Sequence, residues 1–241
     1  MSNDLNVLLA LSASVGFLHT LSGPDHYLPF IVMAKARNWN TFKTIWITFL
    51  CGVGHVGSSI VIGTIGIAFG IGIQKLQIFE AFRGNLAAWA FVTFGFLYFL
   101  WGIWKVRRKK RHQHFHFHDD GTVHVHQHQH FHAKNHQHQH ATKPDKPVNL
   151  TPWILFTVFV LGPCEPLIPI LMYPAATANI GGIVMVSSLF SFCTIATMIT
   201  IVVLSLYGIN FLPMKVFEKY MHPLAGATIC LSGLAIVFLG L

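Results

Sequence analysis

Charge is what this chain has least of. Only 10% of its 241 residues are Asp, Glu, Lys or Arg, and just 8 are acidic, against about a quarter charged in a typical soluble domain. A soluble globular protein is therefore excluded as the main reading. Cysteine is scarce as well. Cys51, Cys164, Cys193 and Cys230 all fall in apolar runs and form no CxxC pair, so they give neither a secreted disulfide framework nor a sign of an oxidising compartment. No HExxH helix is present, which argues against an intramembrane metallohydrolase. The net charge of +8 does not point to nucleic acid, because the basic residues flank apolar runs and are not interleaved with aromatics on a recognition surface.

What the chain does have is apolar length. Six stretches can cross a bilayer core of about 30 Å: Leu5 to Ala36, Thr44 to Ile73, Leu86 to Trp104, Trp153 to Tyr173, Gly182 to Tyr207 and Pro223 to Leu241. The expected fold is an all-α polytopic membrane protein with six transmembrane helices. The opening "LNVLLALSAS" reads as the first of them and not as a secretory signal, since no Lys or Arg precedes it. Fourteen of the sixteen Lys and Arg follow spans one, three and five, leaving Lys75 and Arg83 on the other side. By the positive-inside rule both termini are expected outside a cell membrane and the loop 105–150 inside, with Trp101, Trp104 and Trp153 anchoring the cytoplasmic boundary.

That loop separates two halves, 1–104 and 151–241, each of three spans. "GPDHYLPF" from Gly23 is echoed by "GPCEPLIPI" from Gly162; Cys51 and His55 match Cys193 and Thr197, and Gly95 matches Gly233. An odd number of spans per half makes the repeat inverted, and inverted repeats place a substrate site near the midplane, at helices interrupted in corresponding positions. Gly23-Pro24 and Gly162-Pro163 are the expected breaks of the two first helices. Proline removes a donor and clashes with the preceding turn, so each span should unwind there, and unwound backbone at membrane depth lines a cavity or is buried in protein.

An acid follows each break: Asp25 and Glu165. A charge at bilayer depth costs about 2.5–3.5 kcal/mol on insertion scales, so these acids need partners. His19, His26, His55 and Cys164 complete a nitrogen, oxygen and sulfur set suited to a divalent transition metal. His55 and Cys51 share a helix face, and Gly54 and Gly57 would let another helix approach. "GIAFG", Gly66 to Gly70, reads as a packing seam. For Asp25 and His26 a site is the preferred reading, as it is for His19 and His55; Cys164 and Glu165 are open between a site and ordinary packing. Cys51, Cys193 and Cys230 read as small buried hydrophobes, and His222 as structural.

Twelve of the sixteen histidines crowd the loop: His112, His114, His116, His118, His124, His126, His128, His130, His132, His136, His138 and His140. The tract cannot bury a core and is expected to be flexible. Its alternate histidines, with Asp119 and Asp120, suit metal capture with poor selectivity among nickel, cobalt, copper, zinc and ferrous iron. A solvated linker or a pH-responsive tract are the plainer readings.

"HTLSGPDH", "GVGHVGSSIV" and "GPCEPLIP" together resemble the nickel/cobalt transporter superfamily, in its efflux and urease-accessory-like membrane branches. The histidine-rich loop is similar to that of efflux members. The resemblance implies metal-binding or translocation roles for His19, Asp25, His26 and His55. One departure stands: five residues, not the family's four, separate His19 from Asp25, which leaves open whether His19 reaches the same ion as His26.

The expected function is a secondary transporter of divalent nickel or cobalt, proton-coupled because ligands must be deprotonated to bind metal, with a lean towards efflux. It is not an enzyme, holds no tightly bound cofactor, and has the metal ion and the bilayer as its partners. The alternatives are a membrane thiol-redox protein using Cys164, and an exporter of a sulfur oxyanion on a related scaffold.

Overall fold

In lipid every backbone polar group must be satisfied within the protein, so uninterrupted apolar runs become helices. The computed structural model describes residues 2–108, 112–117, 123–128, 150–177, 179–210 and 218–239. Its elements run α1 (Ser2–Ser22), a 3-10 turn (Pro24–His26), α2 (Leu28–Arg37), α3 (Thr41–Ala68), α4 (Ile73–Arg108), β1 (His112–Phe117), β2 (Val123–His128), α5 (Thr151–Leu161), α6 (Leu167–Ala176), α7 (Ile180–Asn210), a second 3-10 turn (Glu218–Tyr220) and α8 (Met221–Leu239). Five helices, α1, α3, α4, α7 and α8, are long and apolar enough to cross a membrane. The protein is a helical membrane protein.

The remaining three helices have 10, 11 and 10 residues, about 15–17 Å at 1.5 Å per residue, half a bilayer core. They flank the two proline breaks. α1 closes with the Gly23 amide donating to the His19 carbonyl, and the chain then turns through Pro24–His26 before α2 resumes. α5 ends at Leu161, Gly162 is extended, and α6 starts only at Leu167. The expected fourth span, Trp153 to Tyr173, is thus two short helices and not one crossing helix.

Two other boundaries differ from expectation. α3 stops at Ala68 because Gly70 adopts φ +65° and turns the chain, a conformation glycine takes without penalty. Only Gly66 of "GIAFG" is a packing position: it faces the Leu76 side chain, whereas Gly70 has nothing nearby. α4 then begins at Ile73, well before Leu86. Lys75, Glu80 and Arg83 lower the hydropathy of its first turns, but Gln, Lys, Leu, Glu, Ala and Arg are good helix formers. Arg83 is accordingly a buried helix residue and not a loop charge.

Helix contacts run mostly between the halves. α4 and α8 pack antiparallel along a glycine seam: Gly102 faces Pro223, Gly226 faces the Phe99 backbone, Gly95 faces Cys230, and Gly233 faces the Val92 and Ala88 backbones. α3 lies along α7, where Gly52 faces Ile195 and Met198. α1 lies along α7, joined by the Ser12 hydroxyl donating to the Val186 carbonyl at 2.8 Å. α3 also packs on α5, with Gly54 facing Phe156 and Val160, and α2 packs on α8 as α5 does on α4. Large apolar side chains such as Val61, Trp89, Phe96, Phe192 and Leu204 face outward, while Thr44, Thr48, Ser59 and Thr194 are fully buried. Small and hydroxyl residues inside with bulky ones outside is the distribution lipid favours.

Two segments of the histidine tract are strands. β1 and β2 pair antiparallel, with His112 opposite His128, His114 opposite His126 and His116 opposite His124. Composition alone suggested a flexible segment. The intervening Phe115, Phe117, Val123 and Val125 give the two-residue period and the aromatic and β-branched content that strands favour. His118, Asp119, Asp120, His130, His132, His136, His138 and His140 lie outside the described residues.

Candidate functional site

Because Pro24 ends the regular helix, the chain folds a 3-10 turn over the last turn of α1. This sets His26 beside His19, with ring centroids 4.7 Å apart and edge-on. From the middle of α3, His55 meets His26 at 5.0 Å in the same manner. The five-residue gap therefore does bring His19 to His26: the tight turn absorbs the extra residue. One ring nitrogen from each of the three histidines can be chosen so that all lie within 4.8 Å of one another.

The hydrogen bonds define which nitrogens are available. His26 Nδ1 stands 3.1 Å from the Gly23 carbonyl and 3.2 Å from Asp25 Oδ1. His55 Nδ1 stands 3.4 Å from the Phe159 carbonyl at the end of α5. Each of these oxygens is an acceptor, so Nδ1 donates, and in a neutral ring Nε2 carries the lone pair. The Nε2 atoms of His19, His26 and His55 are all buried without a hydrogen-bond partner. An unpaired buried acceptor is costly, and a group of three histidines this close could hold a metal ion. Oxygen–histidine pairs that fix the tautomer are the usual outer support of metal-binding imidazoles. Nitrogens bound to one ion at about 2.0–2.1 Å stand about 3–4 Å apart, so the rings need close by only about an ångström.

The cluster opens onto a cavity of about 410 Å³. Asp25, 20% exposed in its side chain, lines it with the three histidines; Gly162, Pro163 and Glu165 line it from the second break, and Asn85, Gly84 and Phe91 from α4. Both acids thus face the cavity, although neither belongs to the three-nitrogen cluster. Gly84 lets Pro163 pack directly on α4.

Cys164 stands elsewhere. It has no exposed surface and packs with Val56, Leu167, Leu171, Val186 and Phe190. The structure does not bring it to the histidines: after Pro163 its thiol packs in the apolar core while Glu165 lines the cavity. The echo "GPCE" against "GPDH" aligned Cys164 with Asp25 but could not convey the direction of the turn. Cys51 is likewise buried in the core. His222 is hydrogen-bonded to Tyr98 and to Lys105 at 2.8 Å each, remote from the cavity lining.

Sequence reading missed a second polar cluster. Glu80 and Arg83 of α4 form a buried ion pair. Arg83 also donates to the Ser58 hydroxyl at 2.8 Å and to the Val160 carbonyl at 2.9 Å, and the Ser59 hydroxyl donates to Glu80 at 3.2 Å while accepting from the Cys164 amide at 2.9 Å. The i, i+3 spacing of Glu80 and Arg83 was the available signal.

Compared with protein-family models, with curated proteins and with solved structures, the chain matches none.

Proposed function

We propose that the protein is a secondary transporter of divalent transition-metal ions, with nickel or cobalt as cargo. The observation that carries this reading is the convergence of three histidines, each with a buried, unpartnered Nε2, at a helix break on a cavity inside a membrane bundle. Three neutral imidazoles with a carboxylate suit late first-row divalent ions, and a cavity lining without thiols disfavours the softest, Cu(I). Among the divalent ions, nickel and cobalt are favoured by the resemblance of "HTLSGPDH" and "GVGHVGSSIV". Asp25 orients His26, and Glu165 supplies negative charge on the facing break.

Two inverted three-helix repeats make the transport reading coherent. Exchanging the halves preserves the main helix contacts: α1 on α7 becomes α5 on α3, α2 on α8 becomes α6 on α4, and α3 on α7 and α4 on α8 map onto themselves. That equivalence supports six crossings, with α1–α2 and α5–α6 as the broken first helices and the site between the repeats. With Arg83 buried, the positive-inside bias is steeper, and the loop is assigned to the cytoplasm with both termini outside. A histidine tract on that side suits capture of cytosolic metal for efflux. Metal displaces protons from its ligands, so exchange against protons is the coupling.

Reconstituted into proteoliposomes with a pH-sensitive dye inside, the full chain is expected to move Ni2+ or Co2+ with counterflow of protons. His26→Ala and His55→Ala should abolish flux. Full flux in both variants overturns the reading.

A further inference from the structure

α5 ends inside the bundle, so its last carbonyls have no partners within the helix. The groups of this break are held from outside: the Phe159 carbonyl by His55, the Val160 carbonyl by Arg83 and the Cys164 amide by Ser59. His55 and Ser59 are one turn apart on the same face of α3, so one side of α3 grips both ends of the break. Glu80 ties the grip together, since its carboxylate takes Arg83 on one oxygen and Ser59 on the other. Among the described residues the first break is held locally instead: its Gly23 carbonyl is taken by the amide and ring of its own His26.

The cost of this arrangement makes a merely incidental role unsatisfying. Glu80 and Arg83 are 1% and 7% exposed, and apolar replacements of a buried ion pair are often as stable or more so. What apolar residues cannot do is donate to Val160 and orient Ser59. We propose that Glu80 and Arg83 are positioning residues for the histidine site: by fixing the Val160 carbonyl they fix the adjacent Phe159 carbonyl, which holds His55 Nδ1 and so aims Nε2 at the ion. This rests on the metal-site reading above and adds residues that do not touch the cavity's metal ligands directly.

The test uses Co2+ as probe on the full chain. Because the histidine loop also takes up Co2+, each absorption spectrum is read as the difference from the same protein carrying His26→Ala. The double variant Glu80→Leu, Arg83→Met removes both charges and leaves no orphan ion. It is expected to keep the wild-type melting temperature while the KM for Co2+ flux rises about 10–100-fold, the usual effect of losing outer support of a metal ligand, with an altered difference spectrum. Wild-type KM and spectrum in the double variant would overturn the positioning role. Should that variant not fold, Arg83→Lys decides: it keeps the charge against Glu80 but cannot reach Glu80, Ser58 and Val160 together. It is expected to shift KM and spectrum in the same direction, and unchanged values overturn the proposal. If the wild type itself shows no His26-dependent Co2+ band, the metal-site reading fails and this one with it.

Discussion

At the scale of residues, the site depends on which nitrogen of each ring is free. His26 and His55 each engage an oxygen through Nδ1 and leave Nε2 buried without a hydrogen-bond partner, an arrangement that leaves a lone pair on Nε2 only while the ring is neutral. Acidification that protonates these rings should therefore weaken Co2+ binding at the proposed His26-dependent site, and titration of the difference spectrum measures it. Cys164 allows a sharper comparison. With its thiol in the apolar core, Cys164→Ser should leave metal flux within about twofold of wild type and cost under about 2 kcal/mol of stability, whereas His55→Ala should lose flux without a comparable loss of stability. A thiol-redox protein would show the opposite order. Asp25 and His26 were legible in sequence because a charge and an imidazole directly after Gly-Pro are hard to explain otherwise. Glu80 and Arg83 were not: hydropathy counts each as a penalty and cannot see that they neutralise each other three residues apart.

At the scale of elements, proline positions revealed both breaks, since the effect of Pro24 and Pro163 is local and steric. Helix ends that hydropathy does not mark were less legible; α4 starts at Ile73, where its polar residues are good helix formers and Glu80 and Arg83 are buried as a pair. The glycines divide by what faces them. Gly95→Val and Gly226→Val would drive a side chain into the partner backbone of the α4–α8 seam and should each destabilise the bundle by about 1–3 kcal/mol, seen as a lower melting temperature in detergent. Gly57 has nothing within 4 Å, so Gly57→Ala should be neutral or slightly stabilising, as expected for replacing glycine in a helix. Equal shifts for all three variants would contradict the assigned seam.

At the scale of the whole molecule, membrane character was legible from charge scarcity alone, and the echo of Gly23-Pro24 in Gly162-Pro163 marked the two places where a helix is interrupted. The pairing of β1 with β2 was not, because a histidine-rich composition speaks for disorder while its alternation speaks for a strand. If the loop loads an exporter, deleting 113–139 should raise cellular nickel and cobalt content relative to cells carrying the intact chain; lowered content would mark an importer. The glycine seam between α4 and α8 has a mechanical consequence. Each glycine sits against backbone of the other helix at a fixed register, so sliding the pair by even one residue, about 1.5 Å, brings side chains into those contacts. The two helices form a spindle that can neither telescope nor part cheaply. If the proposed transport holds, exposure of the cavity to either side of the membrane must come from helices outside this pair.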